Sequence, residues 1–140
     1  MKNIILALSA FSLLVILFAC DEPKGYLMTD DAKFTPDSMI IHVVPLKTDV
    51  NQYKYATPWY STAIEGVEGT LPVVYSIADV TTTDGDVESF KQWAQIKEGV
   101  GKVYVPLNHK IKPGSYMISV KVSNIYKVVV LKDVFKLIVQ

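Results

Sequence analysis

The feature that most narrows the fold is a strict alternation in one stretch: Tyr116, Ile118, Val120 and Val122 alternate with Met117, Ser119, Lys121 and Ser123. Successive side chains of an extended chain point to opposite faces, so this strand turns one face to a core and the other to water. Beyond Pro36 the chain is built of similar pieces, apolar runs rich in Val, Ile and Tyr separated by Gly, Pro, Asp and Asn. No helix-length amphipathic segment competes with them. Strands are expected over Met39 to Val44, Trp59 to Ile64, Val73 to Val80 and Lys102 to Val105 as well. Tyr126 to Val139 is either one long strand with a bulge near Lys132-Asp133 or two strands that turn there. Phe90, Trp93 and Ile96 recur at spacing three and predict one or two helical turns within Ser89 to Ile96. Roughly seven short strands joined by turns predict an all-β, antiparallel sandwich.

The start of the chain is of another kind. Lys2 precedes an unbroken apolar run from Ile4, which ends in Leu17-Phe18-Ala19-Cys20 and the acidic pair Asp21-Glu22. The run is shorter than the roughly 20 residues that span a bilayer comfortably. It has the order of a secretory signal, with a positive end, an apolar stretch and a small residue before the cleavage point. Leu17-Phe18-Ala19-Cys20 resembles the signal of bacterial lipoproteins, which implies cleavage before Cys20 and acylation of its thiol and new amino terminus. The lipid would anchor the chain to a membrane through Cys20. An ordinary cleaved secretory signal is the other reading, and it would leave the product soluble.

These boundaries divide the chain into a signal over 1–19, a lipidated cysteine and flexible tether over 20–36, and one domain over 37–140. The polar stretch interrupted by Pro23, Gly25, Asp30, Asp31 and Pro36 carries the tether reading. The sequence has 140 residues, and what remains after the signal suits a single core. Cys20 is its only cysteine, so no disulfide supports the domain. Its basic residues are all lysine and balance the acidic ones to a formal net charge of +0, which argues against nucleic acid as a partner.

Several segments resemble the immunoglobulin-like and cadherin-like modules of Bacteroidota surface lipoproteins. They are Ile64-Glu65-Gly66, Gly69 to Ile77, the stretch from Pro113-Gly114-Ser115-Tyr116 to Asn124, and Asp133 to Val139. The resemblance implies an immunoglobulin-like sandwich in which the proline-glycine-tyrosine segment begins the next-to-last strand and the last segment closes the fold. It also implies an outer-membrane, cell-surface location beside polysaccharide-uptake machinery, with Asp21-Glu22 as a partial outward-sorting signal. A polysaccharide or a neighbouring outer-membrane protein is the partner implied.

Sugar recognition requires aromatic faces for pyranose C–H groups and short polar side chains for hydroxyls. Tyr53, Tyr55, Trp59 and Tyr60, with Asn51 and Gln52, combine both kinds in one segment. The competing reading makes Trp59 a core residue and the tyrosines paving on a wet face. Trp93 with Gln92 and Gln95 is a second cluster, although its spacing with Phe90 and Ile96 suits burial. Asp84, Asp86 and Glu88 fall on alternate residues, so an extended chain would project them to one side as calcium ligands. The bland reading is a solvated acidic turn.

Catalysis finds less support. His42 and His109 are isolated in sequence, arginine is absent, and Glu65, Glu68, Asp86 or Glu88 could form a glycosidase pair only through a separation that sequence does not set. The expected function is non-catalytic binding of a glycan or partner, with a structural or adhesive module as the alternative.

Overall fold

The computed structural model describes residues 24–140. The expected signal, the expected lipidation at Cys20 and the expected sorting pair Asp21-Glu22 lie outside the described residues. No described helix is long and apolar enough to cross a membrane.

Among the described residues the chain forms, in order, β1 (Leu27–Met28), β2 (Ser38–Ile41), α1 (Val50–Tyr55), β3 (Trp59–Ala63), β4 (Glu68–Gly69), β5 (Val74–Thr82), α2 (Val87–Trp93), β6 (Gln95–Lys97), β7 (Lys102–Val105), β8 (Gly114–Ser123) and β9 (Val128–Val139). The structure is mostly β. One sheet has the order β2-β9-β8-β5 and a second the order β3-β7-β6, while β1 and β4 form a small ribbon. None of the sheets closes into a barrel.

The core face of β8 is as its sequence predicts, with Tyr116, Ile118, Val120 and Val122 fully buried, but on the opposite face Ser119 is buried as well instead of meeting water. Phe135, Leu137 and Val139 of β9 join them, and Trp59, Ile96, Val103 and Val105 bring the other sheet into the same cluster. The core therefore lies between the two larger sheets. β9 is one long strand, which resolves the choice left by its sequence. It bulges where expected, for Asp133 has a φ of +49° and the β8–β9 register shifts between Ile118 and Val120. The buried Ser119 hydroxyl accepts a hydrogen bond from the Asp133 amide at 3.0 Å, so the bulge leaves that donor satisfied.

Two expectations need correction. The pairing is not wholly antiparallel, because β2 runs parallel to β9 from Ser38 opposite Lys136 to Ile41 opposite Val139. A parallel pair needs a long connection, and nearly the whole domain separates these strands in sequence. The second correction concerns the tether over 20–36, whose described part is folded into the domain. Leu27 and Phe34 are buried, Phe34 lies against Phe135 with ring centroids 4.7 Å apart, and Lys33 exchanges backbone hydrogen bonds with Glu65. Tyr26, Leu27, Met28, Ala32 and Phe34 follow no regular period, so burial here depends on tertiary partners rather than a local pattern.

Helix α2 overlaps the predicted turns but starts earlier and ends at Trp93, so Ile96 falls on β6 instead of the helix; Asp86 caps α2 by accepting from the amides of Glu88 and Ser89. Phe90 and Ile96 are buried and Trp93 packs partly against the core, which answers the second aromatic cluster in favour of packing. Helix α1 has no counterpart in the sequence reading. Its six residues bury no side chain, and it ends at Ala56 in a left-handed conformation with φ +51°.

Candidate functional site

The two-residue period of β3 separates the expected aromatic platform into two layers. Trp59 and Ser61 point inward, whereas Tyr60 and Thr62 point outward. Trp59 is only 6% exposed and contributes to the core, so it is not available to stack on a ligand. Tyr60 is 48% exposed. The partner it finds is one the sequence reading missed: Tyr104 lies opposite it on β7, with ring centroids 5.2 Å apart and planes inclined at 53°. Tyr104 alternates with the buried Val103 and Val105 and is therefore held on the outer face. That alternation is visible in Lys102 to Val105, but the pairing of β3 with β7 is not.

Gln95 of β6 stands in register with Tyr104 on its other side, and Lys97 places its Nζ 4.1 Å from the centre of the Tyr104 ring. The outer face of the smaller sheet thus carries two neighbouring phenol rings bordered by an amide, an ammonium and the Thr62 hydroxyl. Beside Tyr60 a cleft of about 150 Å³ opens between β2 and β3, lined in part by Met39, Thr62 and Phe135. Tyr53 and Tyr55 are exposed on α1, as is Asn51. Gln52 is half-buried and donates its side-chain amide to the Pro58 carbonyl at 3.2 Å, so it braces the loop into β3 instead of facing a ligand.

The histidines are closer in space than in sequence. His109 donates from Nε2 to the His42 carbonyl at 3.2 Å, while its Nδ1 accepts from the Ile111 amide at 3.3 Å. Those two bonds define the neutral tautomer, and burial pushes the His109 pKa below its ordinary value, the bond to His42 opposing that shift. His42 Nδ1 lies 2.8 Å from Asp49 Oδ2 but is not aligned for a hydrogen bond, so their contact is one of proximity. The Asp49 carboxylate is also engaged by the Leu46 amide at 2.7 Å. The arrangement pins the segment after β2 to the loop before β8, with both His109 ring nitrogens occupied by backbone.

The acidic segment does not form the expected calcium cradle. The chain turns into α2 at Val87, so Asp84, Asp86 and Glu88 lose the extended geometry that would align them. Asp84 accepts from the Ser115 amide at 2.8 Å. Asp86 caps α2 and lies 2.6 Å from Lys112, whose hydrogen bond holds its carboxyl below the usual carboxylate range. Glu88 faces Lys91 in the solvent at 3.7 Å. Among the described residues no group of three or more His, Cys, Asp or Glu side chains is placed to hold a metal ion.

The same corner contains a buried tyrosine whose hydroxyl bonds to backbone on both sides. Tyr116 donates to the Lys112 carbonyl at 2.7 Å and accepts from the Asp86 amide at 2.9 Å. Its ring packs on Phe90 at 5.1 Å, and a Cβ at Gly85 would come within 2.5 Å of it. Glycine at that position admits the ring.

Comparison with known proteins gives no matching family model, curated protein or solved structure.

Proposed function

We propose that this protein is a non-catalytic, lipid-anchored cell-surface module of the outer membrane that binds glycan through the outer face of its smaller sheet. The Tyr60–Tyr104 pair is the observation that carries this reading. The exposed Tyr60 ring and the half-buried Tyr104 ring beside it offer apolar faces for pyranose C–H groups, and Gln95, Lys97 and Thr62 offer hydrogen-bonding groups at the rim. Tyr53, Tyr55 and Asn51 form a second exposed patch on α1, whereas Trp59 supports the sheet from beneath. An immunoglobulin-like topology is part of the proposal. The bond from Tyr116 back to the Lys112 carbonyl supports it, because it has the form of a tyrosine corner at the start of a late strand.

A glycan array probed with the mature protein tests the reading. A Tyr60→Ala/Tyr104→Ala variant should bind any glycan hit at least about tenfold more weakly, a change of about 1.4 kcal/mol, with its thermal midpoint retained. Full binding by this variant would remove the site.

A structural or adhesive role is the second reading, and one feature favours it. β2 covers β9 only from Lys136 to Val139, so Val128 to Leu131 pair with β8 on one side and with no described strand on the other. An open ladder of this kind accepts an added strand. A folded sample that binds no glycan but captures a neighbouring envelope protein, and loses it on Val130→Pro, would establish that role instead.

A further inference from the structure

The described chain begins at one end of the domain, and that end is unusually apolar. Gly25 lies against the Tyr126 ring, and the Tyr26 amide donates to Thr70 Oγ1 at 3.1 Å. Asn124 gathers the strands by donating from Nδ2 to the carbonyls of Tyr26 at 2.8 Å and Thr70 at 3.1 Å. These bonds bring the start of the domain, the loop before β5 and the β8–β9 turn together. The side chains that project from this tip are Leu71, 80% exposed, Ile125, 75%, Val128, 62%, and Tyr126, 55%. Lys24 and Lys127 flank them. A monomer in water gains nothing by grouping large apolar side chains at one end.

Chain length decides what covers them. Only Asp21, Glu22 and Pro23 separate Cys20 from Lys24, and even a fully extended chain crosses four residue steps in at most about 14 Å. Once acylated, Cys20 would therefore hold this end of the domain at the membrane surface. The opposite end lies a ten-residue strand away, about 30 Å along β8.

We infer that the tip formed by Leu71, Ile125, Tyr126 and Val128 is a second membrane contact, seated in the lipid interface beside the acyl anchor. The inference rests on the reading of Cys20 as the lipidated residue. Apolar side chains enter the boundary between headgroups and acyl chains, the tyrosine ring suits the headgroup level, and Lys24 meets lipid phosphate, while Lys127 donates from Nζ to the Leu27 carbonyl at 3.2 Å. The domain then has a fixed orientation, with the Tyr60–Tyr104 face on its flank.

The sole cysteine makes the test specific, because acylation would leave a newly introduced thiol as the only one open to labelling. Leu71→Cys, Ile125→Cys and, at the far end, Thr83→Cys variants of the full chain are purified from membranes. Each is labelled with an environment-sensitive fluorophore and reconstituted into phosphatidylethanolamine–phosphatidylglycerol vesicles carrying spin-labelled lipid. Emission from positions 71 and 125 should shift to the blue and be quenched by the lipid, while position 83 stays in water. Acylated protein whose probes at 71 and 125 behave like the probe at 83 overturns the inference. So does a blue shift without lipid quenching, which would mean that a second copy covers the tip. Intact-mass measurement reads the anchor separately: an unmodified Cys20 overturns the anchor reading and this inference with it.

Discussion

His109 shows how a residue suited to catalysis serves packing instead. It is 2% exposed, with one ring nitrogen donating and the other accepting from backbone. An unfolded chain titrates this group near 6.5, and the fold holds its pKa lower. Above that pH both states carry a neutral ring and the contribution to stability is complete. As pH falls through 6.5 toward the folded pKa, the unfolded chain takes up the proton first and stability declines. The thermal midpoint of the native protein should therefore drop more steeply than that of His109→Gln between about pH 7 and pH 5. Parallel profiles would mean that His109 does not carry the dependence. Trp59 and Tyr60 teach the complementary point about legibility. Their composition suggested a shared surface, yet adjacent residues on a strand face opposite ways, so only one could be exposed. The period was readable; which face met the other sheet was not.

At the scale of elements, the Tyr116 hydroxyl braces the corner between β8 and α2 together with those of Thr82 and Ser89. Tyr116→Phe keeps the buried ring but leaves the Lys112 carbonyl and the Asp86 amide without their partner. The expected cost is about 1–3 kcal/mol in chemical denaturation. A cost near zero would show that water replaces the hydroxyl at both groups. β8 was readable because every second residue is apolar, and the bulge in β9 because Lys132-Asp133 interrupts an apolar run. The helix α1 was not, since all its side chains remain outside the core and no apolar stripe marks it. The acidic loop failed for a related reason. Alternate carboxylates imply one face only if the backbone stays extended, and Asp86 instead starts a helix.

For the whole molecule, the domain includes the segment expected to be a tether. A chain shortened to begin at Asp37 loses Leu27 and Phe34, both buried. Removing large apolar side chains from a core costs about 2–5 kcal/mol each, so the shortened chain should melt far lower than one beginning at Lys24, or fail to fold. Equal melting points would make residues 24–36 a passenger. The parallel contact between β2 and β9 has a consequence in time. β2 must wait for its neighbour until nearly all of the domain has been made, and the amides of Val43 and Gln140 close the seam across the two strands. Pairings so distant in sequence form late and slowly. A chain with that requirement stays open while its earlier strands form, and it acquires its final shape only when the last strand reaches its place.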